Sequence, residues 1–358
     1  MAFRKTNPPW TWFVPLLAWL VMAAAIMLPG AFMTSLAAIG LVGSVIAAVH
    51  HAEVVAYRVG EPFGTLVLAV AVTVIEVALI VSVMLSGGAG KEALPRDTVF
   101  AAIMICCNGI VGLCLLMGGM RHHEQGFQIQ GASAALAVLC ALSVLSMVLP
   151  SYAITVPGPG LSNSQLVFAG IASLVLYLVF VFVQTIRHRD YFLAESDDKE
   201  GHAVPPSGRN ALASLGLLIA ALIAVVGLAK ILSPVVEEGV DRMGAPAAVV
   251  GIVIAVLVLL PEGFAALRNA RANRLQNSLN LALGSALASI GLTIPTVAVV
   301  SMLIGQPIHL GLQPKEIVLL ALTLIVGVIT LGTGRTTVLQ GVVHLAIFAA
   351  FLFFAVVP

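Results

Sequence analysis

Charged residues are scarce in this chain. Asp, Glu, Lys and Arg together make up 9% of its 358 residues, whereas a soluble domain carries about 25%. Apolar residues take their place, since 60% of the chain is hydrophobic and the mean hydropathy is +1.09. The net charge of only +1 gives no reason to expect nucleic-acid binding. Such a composition excludes an ordinary water-soluble fold and indicates a protein that folds in a lipid bilayer.

Cysteine is also rare. The four cysteines all lie inside apolar runs, at Cys106, Cys107, Cys114 and Cys140. We interpret them as small buried hydrophobic residues, and not as disulfide partners or zinc ligands. No residue pattern in the chain suggests a bound cofactor.

Eleven long apolar runs divide the chain. They lie near residues 12–29, 31–50, 63–85, 98–119, 129–150, 166–186, 211–233, 245–267, 278–304, 316–331 and 336–357. Each run is close to the roughly 20 residues that a helix needs to cross the hydrocarbon core. The sequence therefore predicts an all-α polytopic membrane protein with about eleven transmembrane helices.

The basic residues predict the orientation of these helices. If the N-terminus is cytoplasmic, twelve Lys and Arg residues fall in inner segments and four fall in outer segments. Basic residues accumulate in cytoplasmic loops. We therefore expect the N-terminus in the cytoplasm and the C-terminus on the opposite, periplasmic or extracellular side.

The longest polar segment, residues 187–210, separates six predicted helices from five. We interpret it as an acidic cytoplasmic linker. If the leading helix is set aside, each half has five helices, and an odd number forces the halves to insert in opposite directions. Inverted repeats of this kind are typical of secondary transporters. The predicted divisions are a tail with the first helix (1–29), a first repeat (30–186), the linker (187–210) and a second repeat (211–358).

A short motif occurs once in each half, 184 positions apart. Its copies are Glu53, Arg58, Gly60, Pro62 and Glu237, Arg242, Gly244, Pro246. A long apolar run follows each Pro, and each run contains one carboxylate, Glu76 in the first and Glu262 in the second. A charge at the bilayer centre costs roughly 2.5–3.5 kcal/mol on lenient scales, so an intramembrane carboxylate is a functional hypothesis in itself.

Further oxygen atoms are expected near these carboxylates. Thr73 lies one turn before Glu76 on the same helical face, and Pro261 frees a backbone carbonyl one turn before itself. A calcium ion binds six to eight oxygen atoms, some of them from the backbone. The next helix of each half is also polar, with Asn108 in one and a stripe of Ser285, Ser289 and Thr293 in the other. For Ser289 and Thr293, ordinary helix packing is the favoured interpretation.

These features resemble the cation/calcium exchanger superfamily, most closely the bacterial calcium/proton antiporters of its cation/proton branch. The resemblance covers nearly the whole chain after the first helix and implies location in the bacterial inner membrane. The two core glutamates of the family fall on Glu76 and Glu262. Its Gly-Asn-Leu motif falls on Asn108, and its Gly-Ser-Ser motif falls on Gly284 and Ser285. The resemblance therefore implies that Asn108 and Ser285 are further cation ligands.

The chain departs from the family pattern at several ligand positions. The Asn three residues before each glutamate is Thr73 or Leu259, and the preceding Gly is Val72 or Val258. The Gln that follows the second motif is Ala288. The expected function is export of Ca²⁺, with Na⁺ and K⁺ as further candidate ions, in exchange for protons through a midplane site in which Glu76 and Glu262 bind the metal ion. The missing amides favour the alternative of a monovalent cation/proton antiporter.

Other function classes fit the sequence less well. An intramembrane hydrolase needs a catalytic group, but every Asp is predicted to lie in a loop or linker, and His344 has no evident partner. A passive channel would be distinguished by flux that does not depend on the proton gradient. We therefore predict a transporter and not an enzyme.

Several polar residues near the predicted helix ends are candidates for the ion pathway or for regulation. Glu53 lies at the cytoplasmic mouth and Glu237 at the outer mouth, where a negative charge attracts cations. His122 and His123, in a predicted cytoplasmic loop, could sense pH, although solvated loop residues are the favoured interpretation. The acidic linker residues Glu195, Asp197, Asp198 and Glu200 could respond to Ca²⁺ or pH.

The predicted orientation is tested by labelling single cysteines in a background that lacks the native four. A cysteine in the loop of residues 151–165 should react with an impermeant reagent from outside. A cysteine beside Asn273 should react only after permeabilisation, because that loop is rich in Arg and therefore cytoplasmic. The reverse pattern would overturn the orientation.

Overall fold

The computed structural model describes residues 8–28, 30–60, 63–85, 91–156, 158–193 and 206–357. Eleven helices in these ranges are long and apolar enough to cross a membrane, which confirms the predicted fold class. They are α1 (Pro9–Met27), α2 (Ala31–Val59), α3 (Phe63–Leu85), α4 (Leu94–His122), α5 (Ile129–Tyr152), α6 (Asn163–Arg187), α7 (Gly208–Arg242), α8 (Ala248–Arg271), α9 (Leu275–Ile304), α10 (Pro314–Leu331) and α11 (Val338–Val356). The acidic residues of the linker, from Glu195 to Glu200, lie outside the described residues.

The glycine of the repeated motif has a positive φ in both copies. Gly60 directly follows α2 and has φ +76°, and Gly244 follows α7 and has φ +64°. Positive φ is accessible to glycine at little cost, so glycine commonly ends helices in this way. Arg58 and Arg242 lie in the last turns of the two helices, where a cation interacts favourably with the helix dipole. The motif is therefore a helix-ending signal that occurs at matched places in the two halves.

Helices α1, α2, α3 and α7 form one compact unit, which comprises Met1–Gly88 and Asp198–Gly244. Alanines of α2 and α7 are fully buried where these helices pack together, among them Ala47, Ala48, Ala221 and Ala224. Small side chains let helix backbones approach closely, which is how helices associate in lipid. The Trp19 indole of α1 donates a hydrogen bond of 3.0 Å to the Ala220 carbonyl of α7.

The other seven helices form a second unit, which comprises Ala89–Asp197 and Ala245–Pro358. Helix α4 is the most deeply buried of the candidate spans and packs against α8 and α11. A short antiparallel ribbon of β1 (Gln125–Gly126) and β2 (Arg335–Thr336) joins two connecting segments. The Gln125 amide also donates to the Ala270 carbonyl at 2.9 Å. Each unit contains helices from both sides of the linker, so the boundaries of the predicted repeats remain a prediction.

Four helices contain a π-helical segment that was not expected from the sequence. Two of these π segments, Ile105–Ile110 in α4 and Ser289–Thr293 in α9, lie in the most buried helices of the second unit. The other two are Val144–Val148 in α5 and Val183–Arg187 in α6. A π segment shifts the helix face by one residue and occurs frequently at functional sites. Asn108 and Ser289, both singled out from the sequence, lie in such segments.

Helix α11 approaches α4 at positions that lack a side chain. A Cβ atom on Gly341 would lie 2.5 Å from the backbone nitrogen of Leu116, and one on Gly112 would lie 3.0 Å from Leu345. Backbone atoms cannot yield as the end of a flexible side chain can. The two helices therefore pack at a distance that Gly341 makes possible.

Replacing Gly341 with Ala should lower the melting temperature of the purified protein. The added methyl group clashes with backbone, and overpacking of this kind typically costs about 1–3 kcal/mol. Gly216→Ala in α7 is the matched control, because nothing lies within 4 Å of its Cβ position. Equal melting temperatures for the two variants would contradict the close contact between α4 and α11.

Candidate functional site

Glu76 lies on the packed face of α3 in the first unit and is only 2% exposed. The buried residues that share this face with Glu76 include Ala69, Val72 and Thr73, which lie seven, four and three positions before it, and Ile80, which lies four positions after it. This spacing is the period of one helical face. Thr73 is thus buried on the same face, one turn from the carboxylate, and its role as a cation ligand stays a prediction.

Glu262 occupies the same register on α8 in the second unit and is 8% exposed. Helix α8 buries Ala255, Val258, Leu259 and Ala266 together with Glu262 at the positions that match those of α3. Each of these residues lies 186 positions after its counterpart on α3. The two glutamates therefore belong to one repeated pattern of burial, in which Leu259 replaces Thr73.

Pro261 lies inside α8, which continues through it to Arg271. Proline has no backbone N–H, so the carbonyl oxygen one turn before it lacks its usual helical donor. On the other side of Glu262, a Cβ atom on Gly263 would meet the Ile110 side chain of the π segment in α4 at 3.5 Å. Glu262 is thus flanked by a helix irregularity and by the segment that contains Asn108.

Asn108 is completely buried, and its side chain connects three helices of the second unit. Its amide nitrogen donates to Thr323 Oγ1 of α10 at 2.9 Å, and its carbonyl oxygen lies 3.1 Å from His344 Nδ1 of α11. The other ring nitrogen of His344 lies 3.2 Å from Thr330 Oγ1 of α10. The expectation that His344 has no partner is therefore wrong, because α10 and α11 bring it against residues distant in sequence.

The oxygen-bearing stripe of α9 is only partly buried. Ser289 and Thr293 are buried in the π segment, whereas Ser285 is half-buried one turn earlier. Thr296, one turn beyond, donates to its own helix at the Leu292 carbonyl, as serine and threonine often do in membrane helices. Whether Ser285 binds a cation stays a prediction.

The candidates at the outer mouth lie in a helix and not in a loop. Glu237 is half-buried in α7 and accepts a hydrogen bond of 2.9 Å from Ser233. Glu238 is exposed and pairs with Arg242 one turn later. Helix α7 continues past Pro234 to Arg242. Both glutamates therefore lie in its last turns.

The candidates at the predicted cytoplasmic mouth belong to α2 and α4. Glu53 is half-buried on α2. Near it, the fully buried His51 donates from Nε2 to the Thr11 carbonyl at 2.9 Å. His122 is the last residue of α4 and donates to the Arg271 carbonyl at 3.1 Å. His123 follows it with φ +65° and is exposed, so His122 lies in the helix and His123 lies in the predicted loop.

A buried ion cluster in the second unit was missed by the sequence analysis. Arg96 and Asp97 lie in the first turn of α4, and Arg96 Nη2 approaches Asp97 Oδ1 to 2.7 Å. Arg96 also donates to the Gly311 carbonyl at 3.1 Å and lies 3.9 Å from Glu316 of α10. The prediction that every Asp lies in a loop or linker is therefore wrong. The sequence analysis took the start of each helix from the start of an apolar run. It therefore could not show that α4 begins before Arg96 and Asp97, because Arg96 pairs with the distant Glu316.

This ion cluster lines a cavity of about 300 Å³. Its other walls are mostly apolar and include the rings of Phe100, Phe351 and Phe354. A buried Arg paired with two carboxylates is stable only when its hydrogen bonds are satisfied. Here Glu316 also accepts from the Gln313 backbone N–H at 2.8 Å, so the cluster fixes the start of α10 against α4.

Known proteins resemble this chain over nearly its whole length. It is 53% identical over 355 residues to the putative ionic transporter y4hA of Sinorhizobium fredii, covering 98% of this chain and 97% of that protein. It is 37% identical over 321 residues to the sodium-potassium/proton antiporter ChaA of Escherichia coli, covering 88% and 87%. The crystal structure of the H⁺/Ca²⁺ exchanger CAX has the same fold, with a TM-score of 0.73 at 14% identity over 96% of this chain and 88% of that one.

The family described as sodium/calcium exchanger protein matches residues 9–186 and 213–357. The unmatched residues between these ranges, 187–212, include the whole predicted linker. The two matched ranges include both glutamate helices and the network around Asn108. This chain is a membrane transporter, not an enzyme, and belongs to the sodium/calcium exchanger protein family.

Proposed function

We propose that this antiporter exports Ca²⁺, Na⁺ or K⁺ in exchange for protons, and that Glu76 and Glu262 bind both kinds of ion. The observation that carries the proposal is the repeated burial pattern, in which each half of the chain buries a glutamate, Glu76 or Glu262, within a long apolar helix at the same register. An ionisable group in an apolar helix is costly and is retained where it binds an ion or a proton. Asn108, Ser285 and Thr73 are the proposed neutral ligands.

Exchange follows from competition for the carboxylates. A buried carboxylate with no bound cation favours its neutral, protonated form, because burial penalises the charged form. A cation stabilises the ionised form. Two ionised glutamates would neutralise one Ca²⁺, whereas one would neutralise a Na⁺ or K⁺. Protons arriving from one side therefore displace the cation, and the cation displaces the protons when the site faces the other side.

A monovalent cation/proton antiporter is the second candidate. The Escherichia coli relative is described as a sodium-potassium/proton antiporter, and this chain has Thr73 and Leu259 where the exchanger pattern has amides. Ca²⁺ needs six to eight oxygen ligands, more than a site with fewer amides offers. The fold shared with an H⁺/Ca²⁺ exchanger supports the Ca²⁺ alternative.

We further propose that the protein lies in the bacterial inner membrane with its N-terminus in the cytoplasm. The excess of basic residues in alternate segments supports this orientation. Large apolar side chains are exposed along the helices, for example Leu20, Ile39, Ile171 and Ile329. Exposed apolar surface of this extent is compatible with lipid and not with water. The acidic linker, on the cytoplasmic side, is proposed to regulate exchange.

The transported ions are identified by exchange measurements in everted membrane vesicles. Respiration acidifies the vesicle interior, and addition of a transported cation should release protons and restore the fluorescence of a quenched pH dye. CaCl₂, NaCl and KCl are added in turn, with choline chloride as the control for ionic strength. Responses to Na⁺ and K⁺ without Ca²⁺ would select the monovalent alternative. No response to any of the three, in vesicles that contain the folded protein, would refute cation/proton exchange.

Glu76→Gln and Glu262→Gln should each abolish this exchange. Glutamine keeps the shape of the side chain but can neither ionise nor release a proton. A neutral amide is also less costly in an apolar helix than a carboxylate, so both variants should fold. Glu238→Gln is the matched control, because Glu238 is exposed on α7 and pairs only with Arg242 among the contacts of the described residues. Near-normal exchange by both buried variants would show that the ions bind elsewhere.

A further inference from the structure

The hydrogen bonds around Asn108 have only one consistent direction. The Thr323 hydroxyl has a single hydrogen, and its acceptors are the Leu319 carbonyl at 2.7 Å and the weaker Met104 sulfur at 3.4 Å. In either case this hydrogen points away from Asn108. Thr323 Oγ1 must therefore accept from the amide nitrogen of Asn108, which lies 2.9 Å away. This contact determines which end of the amide faces α10.

The opposite end of the amide then determines the tautomer of His344. The carbonyl oxygen of Asn108 can only accept, so His344 Nδ1, at 3.1 Å, must carry a hydrogen. In a neutral ring Nε2 is then an acceptor, and the Thr330 hydroxyl at 3.2 Å donates to it. Every hydrogen of this chain of contacts has an acceptor when His344 is neutral. The network therefore needs no charge to be complete.

Among the contacts of the described residues, one hydrogen-bonding position of the Asn108 amide remains available. Its nitrogen has two hydrogens, one directed at Thr323 and one toward the Met104 sulfur at 3.8 Å. Its oxygen has two lone pairs, and His344 uses one of them. The second lone pair is the kind of ligand that a hard cation takes from an amide.

The packing of α11 against α4 holds His344 in this place. A Cβ atom on Gly112 would lie 3.1 Å from the Cβ of His344, and one on Gly109 would lie 3.3 Å from the ring of Phe348. Two missing side chains on α4 thus allow α11 to bring the imidazole to Asn108. The histidine is 1% exposed, so water does not compete for its hydrogen bonds.

We infer that His344 is a positioning residue for cation binding, because its Nδ1–H fixes the carbonyl oxygen of Asn108 with one lone pair free for the ion. The inference rests on the proposed function, in which Asn108 is a cation ligand. Without the histidine the amide keeps its bond to Thr323 but can rotate about it, and the oxygen is no longer held in one direction. His344 acts through Asn108 and does not itself contact the ion.

His344→Leu should raise the KM for the transported cation about threefold to tenfold, the effect of losing one hydrogen bond. The maximal rate should change little, because the glutamates remain. His344→Asn should restore the KM to within about twofold of the parent, since the nitrogen of this shorter amide can stand near the position of Nδ1 and donate. Both values are measured in the vesicle assay over a range of pH.

Phe348→Leu is the control for packing, since it loosens the contact of α11 with Gly109 without touching the network. It should lower the melting temperature and leave the KM unchanged. A rise in KM equal to that of His344→Leu would reduce the role of His344 to packing and overturn the inference. A shifted pH profile in His344→Asn would also overturn it, because that result makes the histidine a proton carrier.

Asn108→Ala separates failure of this inference from failure of the proposed function. If Asn108→Ala raises the KM and His344→Leu does not, the amide is a ligand that needs no positioning, and only this inference fails. If Asn108→Ala leaves the KM unchanged, Asn108 is not a ligand, and both this inference and the proposed ligand set fail. The expected result is a raised KM in both Asn108→Ala and His344→Leu, with a near-parental KM in His344→Asn.

Discussion

The cost of placing a carboxylate in hydrocarbon is the constraint on which this structure depends. Glu76 and Glu262 each interrupt a long apolar helix, and a charge at the bilayer centre costs roughly 2.5–3.5 kcal/mol even on lenient scales. Both side chains are therefore turned to the packed faces of α3 and α8 and are buried there. Each face carries the same pattern of burial, which lets neighbouring helices cover the carboxylate.

Close helix packing makes that burial possible. Fully buried alanines of α2 and α7 in the first unit, and glycines of α4 and α11 in the second, allow backbones to approach. The π segments complement this packing, because each shifts the face of its helix by one residue. In α4 the shift occurs where Asn108 meets α10 and α11. A polar side chain can then be satisfied inside the bundle without breaking the helix.

The sequence predicted the helices and the glutamate faces well because both depend on local periodicity. An apolar run long enough to span a bilayer is a helix in almost any context, and positions three or four residues apart share a face. The contact between His344 and Asn108 could not be predicted, since the two residues are 236 positions apart. Arg96 and Asp97 resembled loop residues for a similar reason: the other partners of Arg96, Gly311 and Glu316, lie far along the chain.

The sequence by itself determined that this protein folds in a lipid bilayer, how many helices cross it, and that each half carries a carboxylate at a matched position. These properties follow from hydrophobicity and helical period, which act over a few turns. Only the tertiary structure decided which polar groups meet: His344 with Asn108 and Thr330, and the ion pair of Arg96 with Asp97 at the start of α4. Such contacts depend on how closely two helices approach. Glycines between the helices, such as Gly112 and Gly341, allow the short distance because they have no side chain.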